Sequence, residues 1–327
     1  MKLTYENIKS AVCCAAKVWE EDGFTHFRRF TEEESECYGR YRQEGYKQRT
    51  YNSASIRLAF VTDSARIAFN YRFLTTPCRD LGCFDVAVNG ALVHYTAVEK
   101  GVLEGSADIA LGCGEKTVEI YFPWSKGMSL ADVTLDDGAT FAPKKRRLKM
   151  INFGDSITHG YVALNPSLSY ANQLGVLLDA DGMNKAIGGD RFFPELMECE
   201  SGMTDPDIIT VAYGINDWAC HTRATVERRC RDFYFALSKK YPMAKIFAVS
   251  PIWSDRVNTP PEKFGDVLTA VDPIIRAATE DLANVTVIDG MTLAPNLGGF
   301  YTDGVHPNDL GMGVYARNLA LAIKRYL

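Results

Sequence analysis

Residues 148–160 read L-K-M-I-N-F-G-D-S-I-T-H-G, and this stretch decides the fold of the second half of the chain. Its apolar run, residues 150–153, is typical of a short buried strand. The run ends in Gly-Asp-Ser, and a helical pattern follows from about Leu168. A serine at the exit of a buried strand can serve as a nucleophile, because its hydroxyl stands above the sheet edge. Gly, Asp and Ser also favour ordinary turns, so Ser156 becomes a candidate only in combination with segments later in the chain.

Short apolar runs alternate with helical patterns throughout the rest of this half. Such alternation is typical of a parallel sheet covered by helices on both faces. Five strands suit a flavodoxin-like, three-layer α/β fold, whose site lies at the carboxyl ends of the strands. The predicted strands are 150–153, 184–187, 208–212, 246–249 and 285–288, and the predicted helices are 168–178, 225–240, 264–282 and 310–327.

The first half of the chain has a hydrophobic period of two from Tyr51 onward, which is typical of half-buried strands. Asn89-Gly90 lies between two alternating runs and predicts a tight hairpin, because both turn positions need positive φ. Many short strands separated by turns indicate an all-β, jelly-roll-like sandwich. The predicted strands are 56–60, 66–71, 84–88, 91–95, 117–122 and 129–135.

The segment 139–149 marks the predicted boundary, since it contains Pro143 and the basic run 144–147, which we interpret as a solvated linker. We therefore expect an N-terminal domain over residues 1–143 and a catalytic domain over residues 148–327. Residues 4–22 have the spacing of an amphipathic helix. Residues 24–50 are rich in aromatic side chains without a clear period, and we expect them to wrap the first domain.

Composition excludes several classes of protein. A net charge of -5 argues against a nucleic-acid partner, which needs a basic face. No apolar run approaches the roughly 20 residues of a membrane span, and the first 20 residues do not resemble a signal peptide. Nine irregularly spaced cysteines indicate free thiols, so we expect a cytoplasmic protein. Cys220-His221 has no second pair to complete a zinc site, so no metal is expected.

Three further segments fall where this fold places its site. They are residues 184–190 after the second strand, 213–217 after the third, and 303–307 before the last helix. Each segment alone is explained as well by a loop, a helix cap or a surface residue. Their joint position at one edge of the predicted sheet favours a chemical role.

These segments resemble the four blocks of the SGNH, or GDSL, hydrolase family. The resemblance covers residues 148–327 and is specific, because four separate motifs agree in order. The blocks are G-D-S-I-T with Ser156, a glycine block with Gly189, G-x-N-D with Asn216, and D-x-x-H with Asp303 and His306.

The resemblance implies a role for each of these residues. Ser156 would attack an ester carbonyl, His306 would take and return the proton, and Asp303 would orient the imidazole. The N–H groups of Ser156 and Gly189 and the side-chain amide of Asn216 would hold the oxyanion. Gly188, the other member of the glycine pair, leaves some ambiguity in this block. No metal or organic cofactor is implied.

A β-sandwich ahead of an SGNH domain is similar to the plan of carbohydrate esterases, especially family 2. This similarity implies removal of acetyl groups from O-acetylated sugars. Trp218 and Trp253 follow strand ends near the expected site. Either ring could stack on a sugar face, although buried packing explains a tryptophan equally well.

Three functional hypotheses result. The leading one is a cytoplasmic serine esterase that removes acetyl groups from small-molecule or oligosaccharide esters. A lipid esterase or thioesterase with the same catalytic domain is the second. The third, from a different class, is a carbohydrate-binding protein whose hydrolase domain is vestigial. The sequence does not identify the sugar, the acyl-chain preference or the oligomeric state.

Overall fold

Two antiparallel sheets face each other in the N-terminal half of the chain. The computed structural model describes residues 1–199 and 201–327. The helices here are α1 (Tyr5–Ala11), α2 (Glu32–Tyr41) and α3 (Glu44–Arg49). The strands are β1 (Val12–Cys13), β2 (Lys17–Glu21), β3 (Phe24–Arg28), β4 (Arg57–Thr62), β5 (Arg66–Thr75), β6 (Gly82–Val88), β7 (Ala91–Val98), β8 (Glu104–Ala110), β9 (Lys116–Tyr121), β10 (Lys126–Leu135) and β11 (Ala142–Pro143).

The two sheets bury one shared apolar layer. In the described residues, one sheet has the order β1-β4-β9-β6-β7 with β11 beside β4, and the other has β2-β3-β10-β5-β8. Alternate residues of β5 point inward, as its period-two sequence requires. Phe60, Phe84 and Leu130 are completely buried in the layer between the sheets. The sandwich predicted from the alternating pattern is confirmed.

The Asn89-Gly90 hairpin is also confirmed. Strands β6 and β7 pair antiparallel across it. Asn89 has a φ of 50° and Gly90 a φ of 81°, as the two-residue turn demands. Strand β8 was not predicted, because only Ile109 of its side chains is buried and the rest of the strand consists of polar or small residues.

A parallel five-stranded sheet forms the centre of the C-terminal half, within the described residues. Its order is β13-β12-β14-β15-β16, which is the flavodoxin-like order 2-1-3-4-5 counted within this half. The strands are β12 (Leu148–Gly154), β13 (Ala180–Asn184), β14 (Ile208–Ala212), β15 (Lys245–Val249) and β16 (Val285–Ile288). The helices are α4 (Ser156–His159), α5 (Tyr170–Leu178), α6 (Ile215–Cys220), α7 (Arg223–Lys240), α8 (Val271–Thr279) and α9 (Asp309–Lys324).

Helices cover both faces of this sheet and give the predicted three layers. One face packs against α7 and α8, with Phe233 and Ile275 completely buried. The other face packs against α5 and α9, with Tyr170 and Leu319 completely buried. The predicted fold class is therefore confirmed. No helix in the described part of the chain is long and apolar enough to cross a membrane.

Some predicted boundaries are wrong. The second strand of this sheet is β13, which ends at Asn184 where the prediction began it. Helix α8 is much shorter than the predicted 264–282. In the first half, the helix predicted over 4–22 stops at Ala11, and the chain continues as β1 and β2. Tertiary pairing of these strands outweighs the helical spacing of the segment.

Helices α2 and α3 do not wrap the first domain, contrary to our expectation. Phe30, Cys37 and Tyr38 share a buried cluster with Ile187 and Phe193 of the second half. A segment that is N-terminal in the sequence therefore completes the core of the C-terminal half. The domain limits at residues 143 and 148 stay a prediction.

Candidate active site

Ser156 is the first residue of α4, directly after β12. The side chain of Asp155 caps this helix by accepting the N–H of Ile157 at 3.0 Å. Gly154 cannot be larger, because a Cβ there would lie 2.1 Å from the hydroxyl of Thr158. The sharp turn leaves Ser156 half-buried at the carboxyl edge of the sheet, the position expected from the quoted stretch.

A chain of hydrogen bonds joins Ser156 to an imidazole and a carboxylate. The hydroxyl of Ser156 lies 2.8 Å from Nε2 of His306. Nδ1 of the same ring lies 2.9 Å from Oδ2 and 3.0 Å from Oδ1 of Asp303. A carboxylate accepts, so Nδ1 carries the hydrogen and the Nε2 lone pair faces the serine. This arrangement can take a proton from the hydroxyl as it attacks.

The loop that carries Asp303 and His306 is braced from a neighbouring loop. The N–H of Asp255 donates to the carbonyl of Gly304 at 2.9 Å. Burial raises the pKa of the Asp303 carboxyl, but hydrogen bonds from the N–H and ring of His306 outweigh it. The pKa of Asp303 lies below its ordinary value, so the group is ionised at neutral pH.

Three donors converge on the same edge of the sheet. In the described part of the chain, the N–H groups of Ser156 and Gly189 have no acceptor. The side-chain amide of Asn216 donates one hydrogen to the carbonyl of Asp190 at 3.1 Å, which leaves its second hydrogen available. The N–H of Gly188 is already bound to His159. Gly189, rather than Gly188, therefore has the free N–H that the predicted oxyanion role needs.

We call residues 184–190 the oxyanion loop, and a buried arginine from the N-terminal half holds it. Arg29 is completely buried and donates to the carbonyls of Asn184 and Ala186 at 2.8 and 2.7 Å. Its Nε donates to the side chain of Asn52 at 3.0 Å. Burial lowers the pKa of Arg29 to about 9, so the guanidinium remains charged at neutral pH.

Helix α3 braces the glycine pair of the loop directly. Arg49 donates to the carbonyl of Gly188 at 2.7 Å, and the hydroxyl of Tyr46 donates to the carbonyl of Gly189 at 3.0 Å. The N–H of Gly189 lies in the same trans peptide as the bound Gly188 carbonyl, so it points away from Arg49. Gly189 itself has a left-handed φ of 83°, which favours glycine.

Helix α2 supplies a second set of charged contacts to the loop. Lys185 and Glu34 form a completely buried ion pair at 2.5 Å. Asp190 accepts from the hydroxyl of Tyr38 at 2.8 Å and pairs with Arg42 at 3.3 Å. Removing one member of a buried pair leaves an uncompensated charge and costs several kcal/mol. The loop is thus strongly fixed from outside the domain that contains it.

Two further carboxyls lie close to the site without touching it. Asp217 accepts the N–H of Phe192 just beyond the oxyanion loop. Burial raises the pKa of Asp155 and the pKa of Asp217 to about 7. Both groups hold backbone, since Asp155 caps α4 and Asp217 accepts from Phe192.

The two tryptophans predicted to contact a sugar differ in position. Trp218 is only 1% exposed, and its indole N–H donates to the carbonyl of Asp266 at 2.9 Å. The prediction for Trp218 is wrong, because the short helix α6 turns this ring into the core. Trp253 is partly exposed and packs on Tyr301, with ring centroids 4.9 Å apart. Its contact with a sugar stays a prediction.

A loop of the first half, unpredicted from the sequence, reaches the site. Arg79, between β5 and β6, lies 3.3 Å from Oδ2 of Asp303. Cys78 lies 3.0 Å from the hydroxyl of Tyr161, whose ring stacks on His306 at 5.9 Å. Neither periodicity nor a motif marks this loop, since it meets the site only through the packing of the two halves.

His221, which follows Cys220, lies beside a cation. Its Nε2 is 3.2 Å from Nη1 of Arg191. In residues 1–199 and 201–327, no group of three or more His, Cys, Asp or Glu side chains is placed to hold a metal ion.

Residues 153–314 match the family model of the GDSL-like lipases and acylhydrolases. The match spans the Ser156, Gly189, Asn216 and Asp303–His306 blocks. The family recognised from these blocks is therefore confirmed for this part of the chain. A comparison with curated protein sequences finds no match.

Solved structures share the two-part fold over nearly the whole chain. The salicylyl-acyltransferase SsfX3 from a tetracycline biosynthetic pathway is 21% identical, with a TM-score of 0.79 over 97% of this chain and 95% of that one. A protein from Bacteroides ovatus, described as a GDSL-like lipase, is 17% identical, with a TM-score of 0.78 over 99% and 97%. A family two carbohydrate esterase from Cellvibrio japonicus is 16% identical, with a TM-score of 0.70 over 99% and 97%. At these identities the likeness establishes the fold.

Proposed function

We propose that the protein is a serine esterase that removes short acyl groups, chiefly acetyl, from carbohydrate esters. The match of residues 153–314 to the GDSL-like lipase/acylhydrolase family model supports ester hydrolysis. One observation carries the proposal. The Ser156 hydroxyl lies 2.8 Å from Nε2 of His306, and Nδ1 of that ring lies 2.9 Å from Asp303. This is the order of groups that nucleophilic acyl transfer requires.

In the proposed reaction, Ser156 attacks the ester carbonyl while Nε2 of His306 takes the hydroxyl proton. The tetrahedral intermediate collapses, and the imidazolium gives that proton to the departing alcohol. A water molecule then attacks the acyl-enzyme with His306 again as the base, which releases the acid and restores Ser156. Asp303 stays ionised and stabilises the imidazolium.

The negative charge that develops on the carbonyl oxygen needs donors that are already in place. The N–H groups of Ser156 and Gly189 and the amide of Asn216 would supply them. Contacts from Arg29, Arg49 and Tyr46 of the N-terminal half support this arrangement, because they fix the oxyanion loop before substrate arrives.

The carbohydrate part of the proposal is supported by the architecture. The sandwich ahead of the hydrolase half gives the overall fold of a family two carbohydrate esterase. The loop with Arg79 brings the sandwich to the site itself, so a substrate larger than an acetyl ester would touch both halves. We also propose that the enzyme works in the cytoplasm, where its nine free cysteines would stay reduced.

The decisive experiment measures acetate release from O-acetylated oligosaccharides beside acetyl, butyryl and octanoyl p-nitrophenyl esters. We expect release from the sugars and the acetyl ester, loss of activity as the acyl chain grows, and no activity in Ser156→Ala. A preference for octanoyl esters would move the assignment to a lipid esterase or thioesterase. Sugar binding without turnover of any ester by the folded protein would instead support a binding protein.

A further inference from the structure

His159 lies on α4, three residues after Ser156, and is only 1% exposed. Each of its ring nitrogens has one backbone partner. Nε2 lies 2.9 Å from the carbonyl of Trp124, and Nδ1 lies 3.1 Å from the N–H of Gly188. A carbonyl can only accept and a backbone N–H can only donate, so the ring is neutral with its hydrogen on Nε2.

The surroundings of His159 hold it in this state. Its ring packs edge-on to Trp124 and to Tyr161, with centroids 6.3 and 5.3 Å away. Burial lowers the pKa of His159 far below its ordinary value, and the nearby cations Arg29 and Arg49 lower it further. The Nδ1 lone pair is therefore always available to the Gly188 amide.

The bond to Gly188 decides which glycine N–H faces the site. Two consecutive amides, those of Gly188 and Gly189, are candidate oxyanion donors, and His159 occupies the first. Gly188 must lack a side chain, because a Cβ there would lie 2.5 Å from the hydroxyl of Tyr161. Arg49 holds the carbonyl of Gly188 at 2.7 Å, and the N–H of Gly189, which belongs to the same trans peptide, points the opposite way.

We infer that His159 is a positioning residue for acyl transfer, whose Nδ1 holds the Gly188 amide so that Gly189 presents its N–H to the oxyanion. Because His159 and Ser156 share one helical turn, the nucleophile and its oxyanion donor are fixed to each other. The Nε2 bond to Trp124 ties the same turn to the N-terminal half. This inference rests on the proposed esterase function.

Two substitutions separate the two bonds of His159. In His159→Asn, an amide oxygen takes the place of Nδ1 and can accept from Gly188, while the bond to Trp124 is lost. In His159→Gln, the amide nitrogen reaches the carbonyl of Trp124, and no acceptor remains next to Gly188. Each variant leaves one buried backbone group unpaired, which costs about 1–3 kcal/mol of stability in either case.

The test compares kcat and KM for p-nitrophenyl acetate in both variants with their thermal midpoints. We expect His159→Gln to lower kcat by about 10- to 100-fold with KM changed less than about threefold, since the loss concerns an oxyanion donor. His159→Asn should keep kcat within about fivefold of the wild type at a similar thermal midpoint. Equal kcat values in two variants of equal stability would overturn the inference.

Two further measurements keep the test independent of the proposed function and of mutant folding. If the wild type hydrolyses no ester, the proposed function fails, and the rate of fluorophosphonate labelling of Ser156 in the two variants then tests the inference. Ring-nitrogen NMR of the wild-type protein should show His159 neutral, with its hydrogen on Nε2, from pH 5 to 9. A hydrogen on Nδ1, or a titration in that range, would also overturn it.

Discussion

The proposed triad of Ser156, His306 and Asp303 is held mainly by contacts within the C-terminal half, whereas the oxyanion loop is held mainly by residues 29–49 of the other half. Asp303 and His306 lie three residues apart on one partly exposed loop, and the side chain of Asp303 is 39% exposed. The oxyanion loop instead accepts from a completely buried arginine and contains half of a completely buried ion pair.

The residues proposed to react and the contacts that hold the oxyanion loop therefore come mainly from different halves of the chain. A triad built on neighbouring residues needs little outside help to bring Nδ1 to the carboxylate. An oxyanion donor must be fixed in place before negative charge develops on the substrate oxygen. Its advantage over water is that it does not have to reorient during the reaction. A buried, multiply bonded loop meets that requirement. In the proposed mechanism, the N-terminal half would thus contribute to catalysis without supplying a reactive atom.

The largest effect is expected on the triad side. Asp303→Asn keeps the shape of the side chain but allows the imidazole the wrong tautomer, so kcat for p-nitrophenyl acetate should fall by about 10⁴-fold. Labelling of Ser156 by a fluorophosphonate should remain detectable but slow. Full activity in this variant would mean that the enzyme runs on a Ser-His pair.

A smaller loss is expected on the oxyanion side. Asn216→Ala removes one donor, and kcat should fall by about 10²–10³-fold. Loss of the bond to the Asp190 carbonyl should lower the stability by only about 0.5–1.5 kcal/mol. The measurement is kcat on the acetyl ester beside the thermal midpoint. Unchanged kcat in a folded variant would remove Asn216 from the site and leave the two N–H groups as the only proposed donors.

The contrast between the triad and the oxyanion loop also explains which site residues the sequence could predict. The family blocks contain Ser156, Asn216 and the pair Asp303–His306, and each follows a strand or precedes a helix whose periodicity is visible. Spacing along the chain is enough to bring such groups to one sheet edge. The order of the five strands followed from the same pattern.

The support of the oxyanion loop could not be predicted in this way. Residues 24–50 show no period, because β3 belongs to the sandwich while α2 and α3 pack against a half of the chain that begins a hundred residues later. Arg29 is completely buried although arginine is usually exposed. Trp218 illustrates the opposite error, since proximity to a motif gives no information about which way a side chain turns.

The buried carboxyl of Asp217, beside the oxyanion loop, should make the free energy of unfolding depend on pH. Burial and nearby Asp190 raise the pKa of Asp217 to about 7 in the folded state, against about 3.9 when unfolded. Its contribution is therefore fully present below pH 4 and is lost as the pH rises to about 7. In Asp217→Asn, the loss of stability between pH 5 and 8 should shrink by on the order of 2 kcal/mol.

Urea unfolding at pH 5 and at pH 8 measures this difference. The comparison uses the difference between the free energies of unfolding at the two pH values. Any destabilisation by the new amide group that does not depend on pH cancels in this difference. Equal pH dependence in the variant and the wild type would show that Asp217 is already ionised in the folded protein. The surroundings of the oxyanion loop would then carry one more negative charge than the burial of Asp217 implies.

The smallest effect tests the brace from the N-terminal half directly. Tyr46→Phe removes the hydroxyl that donates to the carbonyl of Gly189 at 3.0 Å and leaves the ring in place. A single neutral hydrogen bond is worth about 0.5–1.5 kcal/mol, so kcat should fall by about 2- to 12-fold with KM nearly constant.

Tyr41→Phe is the matched control, because Tyr41 lies on the adjacent helix, is 49% exposed and should lose no activity when its hydroxyl is removed. If both variants keep full kcat, the loop holds its geometry without this contact. If only Tyr46→Phe loses kcat while its thermal midpoint stays that of the control, the N-terminal half acts on the transition state and not only on folding.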